Sequence, residues 1–217
     1  MSLSPDLKQR ILAAAATAPA PTRAQMVKTR LWLFAAATVG ALAIFFLKGG
    51  IRATGRPPLL VALTSLGTSA IGGAGLYLVL TTRGRSVLRR PKWVVLFALF
   101  GAALSFLIYK VSISSVFGLT QRWPDRAGFK CLALGLLTGA LPLFAALVAW
   151  RRTDPLTPLA TGAAFGAGAG LASAVLVDLW CPVAYVPHLL LGHVLPIVLL
   201  AAVGALIGWR VLRVRRR

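Results

Sequence analysis

Six apolar runs, Leu31 to Leu47, Leu59 to Leu80, Trp93 to about Val116, Cys131 to Trp150, Leu159 to Leu179 and Leu189 to Val211, occupy most of this chain. Each is of the length a helix needs to cross a bilayer, since roughly 20 residues at 1.5 Å rise span the hydrocarbon core. Little remains to clothe them in polar surface: 58% of the 217 residues are hydrophobic and 13% charged, more apolar area than a soluble globule of this size buries. The runs predict an all-α integral membrane fold of six transmembrane helices. They divide the chain into a lead at 1–30 with a short amphipathic helix, a membrane domain at 31–212 and a basic tail at 213–217. About 30 polar and mixed residues precede the first run, too long a lead for the n-region of a cleavable signal peptide, so that run is expected to stay as the first helix.

A formal net charge of +20 invites a nucleic-acid reading, but the charges are spread over short connections between runs and not gathered on one face. No direct nucleic-acid partner is expected; the lipid bilayer is. Positive residues are retained on the cytoplasmic side of a membrane. Counted by connection, the lead, the second and fourth connections and the tail hold 17 Lys and Arg, against 7 on the other face. Both termini are therefore expected in the cytoplasm.

This orientation places the stretch DLWCPVAYVPH, Asp178 to His188, on the outer face, where no positive charge is expected and none occurs. Cys131, at the start of the fourth run, falls on the same face as Cys181. Two thiols in an oxidising compartment can form and keep a disulfide, worth roughly 4 kcal/mol at most by loop-closure entropy and less in a chain already restrained by inserted helices. The pair also offers soft donors for a metal or a redox switch, with His188 and His193 as further candidate ligands. That metal signal is weak: no CxxC is present, and residues five apart fall on different faces of an α-helix. Two unconnected buried thiols are the third reading. Asp178 reads as a counter-ion for Lys110 or Lys130, close enough to a helix end to reach headgroup water, or as a channel-lining carboxylate. Pro182 and Pro187 stop the fifth helix and aim the sixth.

Small residues recur at helical spacing inside the membrane: Gly135 and Gly139, then Gly162, Gly166 and Gly170 with Gly168 among them, then Gly204 and Gly208. Such stripes let helix backbones approach where no hydrophobic effect drives association. They predict contacts within the bundle first and a homodimer face second.

The lead opens SPDLKQRILAAAA, with Ser4 as a cap, Pro5 at the first helical position and Asp6 in the first turn. Leu7, Ile11 and Ala14 or Ala15 then line one face, suited to a lipid surface or to a groove on a cytoplasmic partner. No enzyme is expected. The chain has no Glu, its four Asp are scattered, and no GxSxG or GxxxxGK[ST] motif occurs. No cofactor is implied.

RAGFKC, LPLFAALVAWRR, the prolines Pro155 and Pro158 leading to Gly162, Cys181 followed by Pro182, and GALIGWRVLR together resemble the NrsF type of six-helix bacterial membrane anti-sigma factors. The detailed resemblance covers Gly128 to Arg213; the first half agrees in layout. It implies a protein that holds an extracytoplasmic-function sigma factor inactive at the bacterial inner membrane and releases it on an envelope, metal or oxidative signal. The family's paired outer cysteines, the sensing positions, correspond to Cys131 and Cys181. Many members carry acidic residues after the second cysteine, whereas here PVAYVPHLLLGH supplies Tyr185, His188 and His193. The lead lacks the His and Cys pattern of zinc-binding soluble anti-sigma domains. The expected sigma contacts are therefore Leu7, Ile11 and Leu12 with Arg83, Arg85, Arg89 and Arg90 of the second connection. A small transporter or channel, or a structural membrane subunit, is the rival class.

Overall fold

The computed structural model describes residues 22–51, 101–116, 128–151, 157–181, 183 and 185–213, with single positions at Asp6, Gln9, Ala13, Leu59, Leu63 and Gly67. The described residues form helices α1 (Arg23–Leu47), α2 (Ala102–Val116), α3 (Phe129–Ala149), α4 (Pro158–Trp180) and α5 (Val186–Val211), with no strand among them. Four of these, α1, α3, α4 and α5, are long and apolar enough to cross a membrane. They correspond to the first, fourth, fifth and sixth apolar runs. The third run is represented by α2, described for 15 residues. Of the second run, Leu59, Leu63 and Gly67 are described, each helical. Asp6, Gln9 and Ala13 of the lead are helical too.

The helix starts follow local chemistry. Thr22 caps α1: its hydroxyl accepts from the Gln25 amide at 3.2 Å while the Gln25 side chain accepts from the Thr22 amide at 2.8 Å. This cap starts the helix at Arg23, upstream of the apolar run at Leu31, so the boundary expected at residue 30 lies inside a continuous helix. Pro158 opens α4 from its first turn, where a missing N–H costs nothing. Pro187 does the same for α5.

α5 is not a uniform α-helix. Leu190–Val194 forms a π turn between α-helical Val186–Leu189 and Leu195–Val211, and the Leu195 amide donates to the Leu190 carbonyl, five residues back. Pro196 explains the position. Its ring has no N–H and presses on the carbonyl four residues earlier, that of Gly192, so widening the turn relieves a clash the α geometry imposes.

α4 is the centre of the bundle and α1 its edge: 72% of the α4 span is buried, against 17% of α1. α4 earns this place by being small. A methyl group at Gly162 or Gly166 would fall on the carbonyl oxygens of Gly204 and Leu200 of α5, and one at Gly170 would lie 2.6 Å from the Ile197 Cα. Gly208 answers from α5, where a methyl would lie 2.7 Å from the Gly162 Cα. Gly135 and Gly139 of α3 abut the side chains of Pro196 and Leu200. The glycine stripes are intramolecular seams, as the spacing predicts.

The bundle has two distinct ends. At one, the Arg30 guanidinium of α1 lies 4.5 Å from the centre of the Trp150 ring and its Nε donates to the Ala149 carbonyl at 3.3 Å. Phe34 and Phe165 pack on the same tryptophan. At the other, the Trp180 indole donates to the Lys48 carbonyl at 2.9 Å. α1 thus runs antiparallel to α3 and parallel to α4, and Lys48, Cys131 and Cys181 share one end, opposite Arg30 and Arg151.

Candidate metal centre

Three chain ends converge at that second end. Gly128, in the left-handed region at φ 50°, starts α3, with Cys131 in its first turn. Cys181 ends α4 in an extended conformation, its amide donating to the Val177 carbonyl at 2.8 Å. His188 lies in the first turn of α5 and His193 in the π turn. Two glycines let the backbones meet: a methyl at Gly192 would lie 2.8 Å from the Cys131 Cβ, and one at Gly128 would lie 3.1 Å from the Gly192 nitrogen.

The result is a compact polar cluster. The donor atoms of Cys131, Cys181, His188 and His193 all lie within 4.8 Å of one another. His188 Nε2 is 3.5 Å from the Cys131 sulfur and 3.2 Å from the Cys181 sulfur. The four residues are 2%, 4%, 2% and 0% exposed. No bond joins the two sulfurs in this structure. The Cys181 thiol, just beyond the end of α4, is held well below the usual thiol range, first by its hydrogen bond with Cys131 and then by His188, while burial pulls the other way.

His193 is the odd member. Neither ring nitrogen has a hydrogen-bond partner of ordinary geometry among the described residues, although the side chain is fully buried and close enough to the Cys181 thiol to interact with it electrostatically. Its ring stacks on Phe106 of α2 at 6.1 Å and lies 5.6 Å from the His188 ring. The expectation that the two histidines occupy different helix faces is corrected here. A π turn closes on the fifth residue, so residues five apart come to the same side. The glycine and proline around His193, Gly192 and Pro196, were the available signal.

Beside the cluster lies a buried ion pair. Lys110 of α2 donates to the Asp178 carboxylate of α4, with side chains 3% and 1% exposed. Of the two expected counter-ions it is Lys110; Lys130 is exposed. The expectation that Asp178 reaches headgroup water is also corrected, since it is fully buried. Phe106 and Lys110, one turn apart, thus fasten α2 to the π turn and to α4. The expected sigma contacts Leu7, Ile11, Leu12, Arg83, Arg85, Arg89 and Arg90, like Pro182, lie outside the described residues.

Two thiols and two imidazoles are donors for zinc-like and other thiophilic ions, and two adjacent thiols also support disulfide chemistry. Comparison with known proteins adds a family. The model described as "NrsF: Negative regulator of sigma F" matches residues 12–214, so the likeness first visible from Gly128 to Arg213 extends through the first half. No curated protein and no solved structure matches the chain.

Proposed function

Because the chain belongs to the NrsF family of negative regulators of sigma F, we propose that it is a membrane-held anti-sigma factor that keeps an extracytoplasmic-function sigma factor inactive and releases it on an envelope, metal or oxidative signal. In this reading the chain crosses the bacterial inner membrane six times with both termini in the cytoplasm. The end holding Cys131 and Cys181 faces outward and receives the signal. The lead, through Leu7, Ile11 and Leu12, and the second connection, through Arg83, Arg85, Arg89 and Arg90, bind the sigma factor inside.

The observation that carries the reading is the family match over nearly the whole chain. The convergence of two cysteines from α3 and α4 into one buried cluster supports the sensing part. A transporter or channel draws less support. Asp178, which suggested a lined pore, is engaged by Lys110, and the glycine face of α4 is covered by α5.

The test is retention of a tagged extracytoplasmic-function sigma factor from the same cell in the membrane fraction of cells expressing both. The full chain is expected to retain it, and a chain lacking residues 2–20 to release it. Undiminished retention after that deletion removes the lead from the binding face. Failure of the full chain to retain it overturns the anti-sigma reading.

A further inference from the structure

We propose that Cys131, Cys181, His188 and His193 form a closed four-ligand site for one divalent, thiophilic cation of the zinc class. This inference rests on the reading of the thiol end as the sensing end and names what that end holds.

Geometry is the first support. Zinc-class ions sit about 2.0–2.1 Å from imidazole nitrogen and about 2.3 Å from thiolate sulfur, so the edges of such a tetrahedron are roughly 3.3–3.8 Å long. The distances from His188 Nε2 to the two sulfurs, 3.5 and 3.2 Å, are already close to that length. No separation in the set exceeds 4.8 Å, so small side-chain rotations suffice to bring the four donors around one ion.

His193 is the second support. A buried polar group without a partner costs about 1–3 kcal/mol, and such groups in native proteins call for an explanation. A metal gives one of the two ring nitrogens a partner, with the imidazole plane already set by its stacking on Phe106. A disulfide between Cys131 and Cys181 does the reverse. It consumes both sulfurs and leaves the buried His193 imidazole with no ion to ligate.

Charge selects the class of ion. Two thiolates bring two negative charges and two neutral imidazoles bring none, while Lys110 and Asp178 neutralise each other. A divalent ion leaves the buried site at zero net charge, whereas a monovalent ion leaves one uncompensated negative charge where burial makes it costly. With four protein ligands no position stays open for substrate, the pattern of a structural or regulatory metal and not of a catalytic one. Such an ion ties the starts of α3 and α5 to the end of α4.

The experiment uses the full chain, purified in detergent under reducing, anaerobic conditions and titrated with Zn2+ and Co2+. One equivalent is expected to bind. The Co2+ form should show the visible bands of a tetrahedral ion with thiolate charge transfer, and X-ray absorption of the Zn2+ form should show two sulfur and two nitrogen neighbours. His193→Ala should weaken binding by more than about tenfold, since loss of even an outer-shell partner costs tenfold or more. An oxygen-rich shell, or a shell of sulfur alone, overturns the proposal. So does binding unchanged by His193→Ala. The absorption measurement on the unaltered chain decides the question even if a variant misfolds. Retention of the sigma factor by the metal-free chain is scored separately. Retention without a two-sulfur, two-nitrogen site sinks this proposal alone, and that site without retention sinks the anti-sigma reading alone.

Discussion

α4 and α5 meet twice, along a glycine seam and again at the thiol end, and different physics holds the two contacts. In the seam Gly162, Gly166, Gly204 and Gly208 bring backbone against backbone. Lipid tails are as apolar as leucine, so this contact rests on dispersion and on the closeness that missing side chains allow. At the thiol end the same helices carry Cys181, Asp178, His188 and His193, all buried, and their stability depends on each polar group having a partner. The seam sets a distance between helices; the cluster uses it. A contact built from glycines tolerates almost no added volume, whereas one built from charges tolerates almost no lost partner.

The largest effect is expected where a partner is lost. Lys110→Met removes the cation paired with the buried Asp178 carboxylate and should destabilise by about 3–5 kcal/mol, read as a shift of the unfolding transition in mixed detergent micelles. Adding Asp178→Leu should recover most of that loss, because an apolar pair of similar volume needs no compensation. A double variant no better than the single one would mean that the ion pair is not the polar contact that matters there.

Next in size is added volume in the seam. Gly166→Ala places a methyl on the Leu200 carbonyl and pushes α5 outward, at an expected cost of about 1–3 kcal/mol. Gly168→Ala, two residues along and half-buried, is the control: it should be neutral or stabilising by up to about 1 kcal/mol through helix propensity. Equal losses at both positions would show that α4 responds to alanine generally and not to contact with α5.

These two regions were legible in the sequence to different degrees, for a physical reason. Glycine spacing reports directly on backbone approach, so the stripes at Gly162, Gly166, Gly170, Gly204 and Gly208 could be read as seams before any fold was known. Apolar length likewise anticipated α1, α3, α4 and α5, and Lys110 was one of two expected partners for Asp178. The cluster was harder. Its fourth member depends on a π turn, a local departure from the α period that only Gly192 and Pro196 hint at, and a strict α reading sends His193 to the wrong side. The start of α1 at Arg23 follows from the capping box of Thr22 and Gln25, which outweighs the change in hydropathy at Leu31. How α2 docks through Phe106 and Lys110 is a tertiary fact that no local pattern encodes.

The smallest expected effect lies at the opposite end of the bundle, and it tests whether the two ends are independent. Ala149 and Trp150 close α3, and the last carbonyls of a helix lack partners within it. Arg30 supplies one for Ala149 while stacking on Trp150, a partly buried contact whose cation–π part is worth about 0.5–1 kcal/mol. Arg30→Gln should therefore lower stability by roughly that amount, since glutamine can still donate a hydrogen bond but brings no charge to the ring. The Co2+ spectrum at Cys131, at the other end of α3, should stay unchanged. The glycine seam of α4 and α5 lies between the two sites, and its backbone-to-backbone packing leaves little room for a weak contact to shift it. A spectrum that shifts with Arg30→Gln would mean that α3 moves as a lever from one end to the other, and the division between a fixed seam and a responsive cluster would have to be given up.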